Sequence, residues 1–231
     1  MAVSLGLMLA ENAPMDWSPL GVSLRAASLA TLLAIGGGLA AAQAMLVCRE
    51  PWRSAIDTVL ALPLVLPPTV VGFGLLVLFG RQGPIGPWLD RWDLPMVFSP
   101  AGTVVAATVV AFPLAYRTLL STFEQLDPDL LRAARTLGLN SWQIFWRVRL
   151  PLARSGLVAA AALAFARALG EFGATVMLAG NIPDRTQTIP SAIFAAVESG
   201  DWARARWWVG WSIAIALVSI AVVNRAGRRP W

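Results

Sequence analysis

The sequence contains no histidine, no lysine and a single cysteine, Cys48. Without histidine there is no Ser-His-Asp triad, no Cys/His zinc site and no His-ligated haem, and one cysteine cannot build a disulfide framework. Cys48 reads as a small apolar residue at a helix end. Without lysine there is no G-x-x-x-x-G-K-[ST] phosphate loop, so any nucleotide chemistry of that kind has to come from another chain. Charge is scarce too: charged residues are 13% of the total, against ~25% in ordinary soluble domains. A globule in water could not cover its surface with so few charges, and intrinsic disorder is excluded by the same apolar excess.

What is present is apolar sequence. Hydrophobic residues make up 57% of 231, and the mean hydropathy is +0.65. Crossing a hydrocarbon layer of ~30 Å takes about 20 residues. Five runs meet that length, at residues 20–47, 56–79, 101–120, 152–178 and 207–223. Many of the 11 tryptophans stand near the ends of these runs, as in an interfacial belt. Residues 1–10 are too short to span and are expected to lie flat at the interface, unless residues 1–16 add a sixth helix. No basic residue precedes that stretch, so a cleaved leader is not expected.

Arginine distribution sets the orientation. Eleven arginines fall on one side of the five runs (Arg49, Arg53, Arg117, Arg132, Arg135, Arg147, Arg149, Arg154, Arg225, Arg228 and Arg229) and five on the other, beside seven acids. The positive-inside rule places the richer side in the cytoplasm, with the N-terminus outside and the C-terminus inside. The net charge of +5 is then topological, and no nucleic-acid partner is needed to explain it.

Two runs carry unusual residues. The second contains Pro63, Pro67 and Pro68, each of which removes a backbone donor. Broken backbone at membrane depth has to be covered by protein or line a water-filled path, so the break marks either a translocation pathway or a kinked packing helix. The fourth run holds Arg167 and Glu171, one helical turn apart and able to pair, with Gly170 and Gly173 beside them. An ionisable residue inside a span is a functional candidate by default. The pair either lines the path, where Arg167 would offset an anion's charge, or pins a subunit interface or gate. Thr175, Asn181, Thr186 and Thr188 are candidate pathway or mouth residues. Arg25, early in the first run, is expected to snorkel to the outer interface.

The segment between the third and fourth runs, about residues 121–151, reads as two short helices. Asp127 caps the first, Pro128 takes its first position and Asp129 complements its dipole. Gly138 closes it in the left-handed conformation, and Asn140 or Ser141 caps the second helix, which Pro151 ends. Ala133 and Ala134, flanked by Arg132 and Arg135, make a small-residue patch suited to close approach by a cytoplasmic partner.

The spacing from Arg132-Ala133-Ala134 through Gly138 and Leu139 to Val148-x-Leu150-Pro151 resembles the EAA loop of ABC-importer permeases, E-A-A-x3-G-x9-I-x-L-P. The family's Glu is Arg132 here, so a salt bridge made by that Glu does not carry over. The stretches LPLVLPPTVVGFGLLVLFGRQGPIG, RAARTLG and LAFARALGEFGATVMLAGNIPDRTQTIPSAIF are similar to molybdate permease subunits, with sulfate and thiosulfate permeases as near relatives. The resemblance implies an all-α, polytopic inner-membrane protein with the type I ABC-importer permease fold. It implies one transmembrane domain over residues 1–231, a lipid surround, and a homodimer with the pathway between subunits. It further implies two cytoplasmic ABC ATPase subunits docked on the loop, which use the ATP, and a periplasmic molybdate-binding protein. No cofactor or metal and no catalytic residue is expected in the chain itself. Pro67, Pro68, Arg167, Gly170, Glu171, Gly173 and Thr175 are its pathway or gate candidates. A channel or secondary carrier working without ATP would need ion-coupling residues, for which Glu171 alone is available, and would leave the loop unexplained. An intramembrane enzyme would lack both histidine and paired intramembrane carboxylates.

Overall fold

The computed structural model describes residues 16–227, and these are nearly all helical, with no strand among them. Residues 1–15, where an interfacial segment, a sixth helix or a leader would fall, lie outside the described residues, as do Arg228 and Arg229. The helices are α1 (Ser18–Met45), α2 (Trp52–Val65), α3 (Pro68–Phe79), the single turn α4 (Gly86–Asp90), α5 (Pro100–Glu124) and α6 (Pro128–Thr136). They continue with α7 (Ser141–Leu152), α8 (Arg154–Leu169), α9 (Gly173–Ala179), α10 (Ile189–Glu198) and α11 (Trp202–Gly227). Three of these, α1, α5 and α11, are long and apolar enough to cross a membrane alone, and two bent pairs raise the number of candidate spans to five.

Lipid tails are as apolar as leucine, so helices in a bilayer gain little from hiding apolar surface and associate through close backbone approach instead. The core obeys that rule. Ala27, Ala30 and Ala34 of α1 meet Ala107, Ala111 and Ala115 of α5 and Ala164 and Ala168 of α8. At Gly38 a methyl group would come within 3.2 Å of the Tyr116 backbone nitrogen. Larger side chains point outward: Leu32, Leu33, Ile213, Leu217 and Val218 are all exposed and present a hydrocarbon surface. At one end of the bundle Trp17 packs edge-on against Trp207, Trp208 and Trp211. At the other end α2 is tied to α5, where Asp57 accepts from the Tyr116 hydroxyl and from Arg117, each at 2.9 Å, and Arg53 pairs with Glu124.

The second apolar run is two helices, α2 and α3, bent by 111°. The cause is local. A residue preceding proline is driven out of the helical region, and both Leu66 (ψ 142°) and Pro67 (ψ 137°) precede one and are extended. Pro68 then starts α3 at the position where a missing N–H costs nothing. Pro63 stands inside α2, where Leu62 stays helical although it too precedes a proline.

The fourth run is likewise divided, into α8 and α9, with residues 170–172 between them. The helix α10, too short to register among the apolar runs, comes soon after, capped by a reciprocal Thr188–Ser191 pair with Pro190 in its first turn. In α7 the expected stop at Pro151 is replaced by a change of pitch. Residues Phe145–Arg149 form a π turn in which the Leu150 N–H reaches the Phe145 carbonyl. The helix runs through Pro151 to Leu152 and then turns by 74° into α8.

Candidate functional site

The two broken helices break against each other. A methyl group on Gly173, the first residue of α9, would lie 3.0 Å from Pro68 Cβ and 3.3 Å from the Thr69 nitrogen. One on Gly72 of α3 would lie 2.7 Å from both Ala174 Cα and Met177 Cβ. At Gly72 those distances exclude a side chain, and at Gly173 they leave almost no room for one. The helices α3 and α9 thus form a close pair, with α3 set at an angle to α2.

Glu171 spans the second break. One carboxylate oxygen accepts from Arg167 at 2.8 Å and the other from the Ala174 backbone N–H at 2.8 Å. The side chain of Glu171 is 1% exposed and that of Arg167 30% exposed. The carboxylate therefore joins the end of α8 to the start of α9, where it also meets the positive end of the helix dipole. The preceding Gly170 is exposed. Phe172, next in the break, packs against Phe194 of α10 at 5.2 Å between ring centres.

Of the pathway candidates, Pro67, Pro68, Glu171 and Gly173 thus converge at one junction, with Arg167 reaching it from α8. The threonines do not line an open surface there. Thr175 is buried in α9, Thr186 accepts from the Ile182 N–H at 2.9 Å, and Thr188 caps α10. Asn181 is exposed. The Ile189 N–H of α10 donates to Ser23 of α1 at 2.7 Å, a buried link that nothing in the sequence signals. Arg25 is exposed, on the rim of a cavity of about 270 Å³ shared with Asp184 and Arg185.

The loop of α6 and α7 is the second candidate site. Asp127 accepts from the Asp129 N–H at 2.8 Å, Gly138 has φ +82°, and Asn140 and Gln143 form a reciprocal cap at the start of α7. Arg132 pairs with Asp129 at 2.9 Å, fully on the surface. The two alanines differ: Ala133 is exposed while Ala134 is buried beneath α6, where its carbonyl accepts from the Leu139 N–H. Leu130, Ala133 and Leu137 fall on one helical face, and Leu137 is 81% exposed. With Trp142 (70% exposed) and Trp146 they make a projecting apolar ridge. Val148, Leu139 and Leu150 are half-buried, and Pro151 is exposed at the bend.

Arg149, at the x position of Val148-x-Leu150-Pro151, carries no signal in the sequence beyond its charge. In the structure its guanidinium donates to Gln43 of α1 and lies 5.8 Å from the centre of the Phe123 ring of α5. No cluster of three or more His, Cys, Asp or Glu is placed to hold a metal ion among the described residues.

Comparison with known proteins locates this architecture. The chain is 42% identical over 210 residues to the molybdenum transport system permease protein ModB of Escherichia coli K12, covering 90% of this chain and 91% of that one. It is 39% identical to the putative molybdenum transport system permease protein YvgM of Bacillus subtilis, covering 90% and 92%. Against the sulfate transport system permease protein CysT of Escherichia coli the identity is 35%, over 90% of this chain and 76% of that one. Among solved structures, a bacterial ABC transporter involved in the import of the acidic polysaccharide alginate matches with a TM-score of 0.69 at 16% identity. That match covers 98% of this chain and 87% of the other. The inward-facing MetNI methionine ABC transporter matches with a TM-score of 0.66 at 17% identity, covering 90% and 94%. These two share the fold, which is that of ABC-importer permeases. Residues 34–229, which hold the last part of α1 and every later helix, the α6–α7 loop included, match the family described as binding-protein-dependent transport system inner membrane component, and the chain belongs to that family.

Proposed function

We propose that this chain is the membrane-spanning subunit of an ATP-driven molybdate importer, with tungstate sharing the route. The observation that carries the reading is the 42% identity to the Escherichia coli molybdenum permease across 90% of the chain, above the 35% shared with a sulfate permease over the same fraction. The subunit works as a homodimer with the pathway between the two copies. Two cytoplasmic ATPase subunits supply the hydrolysis, since the chain has no phosphate loop of its own and is not itself an enzyme. A periplasmic binding protein delivers the oxyanion, and a solved relative of the fold carries such a protein in its complex. The N-terminus lies outside and the C-terminus in the cytoplasm, which puts the α6–α7 ridge on the ATPase side and the tryptophan cluster on the other.

The geometry supports this division of labour. Arg132, Ala133, Gly138 and Leu139 shape the first docking helix, and Val148, Leu150 and Pro151 shape the second; Ala134 anchors the first from beneath. A ridge carrying Leu137 and Trp142 in contact with water is costly on its own and suits a cleft in a partner. At the other site, Arg167 and Glu171 neutralise each other, so this face presents little fixed positive charge. A dianion held tightly would leave slowly, so a weakly charged path favours turnover. Closure of the ATPase pair moves the loops, the spans rock about the breaks, and the path opens toward the loaded binding protein.

The test is labelled molybdate uptake in cells lacking their own permease, with this chain expressed beside its ATPase and binding protein. Uptake blocked by excess tungstate and not by excess sulfate is the expected result. Block by sulfate moves the chain to the sulfate branch, and transport by the subunit alone in liposomes overturns the ATP-driven reading.

A further inference from the structure

The loop can pass movement to the bundle only where it is attached. The helix α6 is joined to α7 through the Gly138 turn, and α7 continues into α8 across the 74° bend. A polar link from α7 to the other membrane helices is made by Arg149. Its position depends on the π turn over Phe145–Arg149, because one extra residue per turn rotates the downstream residues by about 100° relative to a regular helix. Arg149 Nη1 donates to the Gln43 side-chain oxygen near the end of α1, 106 residues earlier. The same guanidinium lies over Phe123 at the end of α5, and Phe145 of α7 packs edge-on against that ring at 6.3 Å. The Nε of Arg149 is buried without an acceptor. Buried polar groups in native proteins are nearly all hydrogen-bonded, so the enclosed position of this side chain is itself a feature to be explained.

We infer that Arg149 is a positioning residue that transmits displacement of the docking loop to α1 and α5, by way of Gln43 and Phe123. The inference rests on the proposed function, because it requires an ATPase pushing on α6 and α7. Arg149 touches neither the ATPase ridge nor the Arg167–Glu171 junction. It joins the moving element to the two helices whose alanine faces form the core. Without it, α7 would keep its covalent continuity with α8 and the packing of Phe145 on the cluster of Ala42, Met45 and Phe123, but would lose its polar tie to Gln43 of α1.

The experiment uses the complete complex in proteoliposomes, with binding protein and molybdate, and reads three quantities: ATPase retained on purification, ATP hydrolysed, and molybdate delivered per ATP. Arg149→Met and Gln43→Leu are expected to retain the ATPase and its hydrolysis while molybdate per ATP falls about fivefold, within the range by which single residues alter coupling. Gln43→Glu keeps the contact to the guanidinium and is expected to hold the ratio near wild type. An unchanged ratio in both Arg149→Met and Gln43→Leu overturns the inference. So does a parallel loss of bound ATPase, hydrolysis and uptake, which is what a purely structural contact would give. If Arg149→Met does not assemble, Gln43→Leu decides alone. A wild-type complex that moves no molybdate refutes the proposed function instead, and is read before any variant.

Discussion

Replacing Arg167 with methionine leaves the Glu171 carboxylate enclosed, held by the Ala174 N–H and without its counter-charge. Removing one member of a buried ion pair costs about 3–5 kcal/mol, because the other charge is left uncompensated. Arg167 is partly exposed, so water already screens the pair and the lower end, about 3 kcal/mol, is the expected loss. The cost of placing a lone charge at bilayer depth, about 2.5–3.5 kcal/mol on insertion scales, gives a similar figure by a separate route. Neutralising the carboxylate as well should recover most of this. In Arg167→Met/Glu171→Gln the amide oxygen can still accept from the Ala174 N–H, and the residual penalty is about 1 kcal/mol for exchanging a charged cap for a neutral one. The double variant is thus expected to be more stable than the single one by about 2 kcal/mol, a strong coupling between neighbours. Thermal unfolding of the purified subunit in detergent, followed by tryptophan fluorescence, reads this as a Tm about 6–12 °C below wild type for Arg167→Met, with partial recovery in the double variant. A Tm for Arg167→Met within a few degrees of wild type would refute the brace, as would a double variant less stable than the single one.

Other substitutions separate the two sites. Leu137→Asp changes a residue that is 81% exposed, so the subunit should fold as before and lose its ATPase on co-purification. Gly138→Ala meets no neighbouring atom, so its cost is that of a left-handed residue alone, about 1–2 kcal/mol, visible as a small drop in Tm with docking weakened. Gly72→Val forces atoms into the α3–α9 contact and should cost at least about 1–3 kcal/mol and abolish uptake. Gly74→Ala, on another face of the same helix with open space beside it, is the matched control and should be neutral or stabilising by about 0.5–1 kcal/mol.

How legible each feature is depends on the range of its cause. The caps at Asp127 and Asn140 and the turn at Gly138 are readable because each is decided within four residues. The spans α1, α5 and α11 are readable from length and apolarity. The proline pair announces that the second run breaks, yet the 111° angle comes from two consecutive extended residues, and the α3 helix that follows them packs on α9, a partner about 100 residues away. Arg167 and Glu171 are recognisable as a pair from their spacing. That Glu171 also holds the start of α9 is hidden, because Gly170 and Gly173 permit an unwound turn there without requiring one. The helix α10 escapes notice for being short and preceded by proline and threonine. Arg149 looks like one more cytoplasmic arginine, since neither Gln43 nor Phe123 is its neighbour in sequence.

The mutual fit of α3 and α9 bears on how the protein is made. At ~1.5 Å per residue α3 is about 18 Å long and α9 about 10 Å, so neither can cross a ~30 Å layer unaided. The surface that receives α3, built from Gly173, Ala174 and Met177, leaves the ribosome about 100 residues after Gly72. At synthesis rates of ~5–20 residues per second, α3 waits about 5–20 s for it. During that interval its break at Pro67 has no α9 to cover it, and the insertion machinery or α2 lying at the interface has to shelter it. The fourth span therefore completes a surface that the second one needs, and a chain stalled before residue 173 should be a substrate for membrane quality control even though three of its spans are already synthesised.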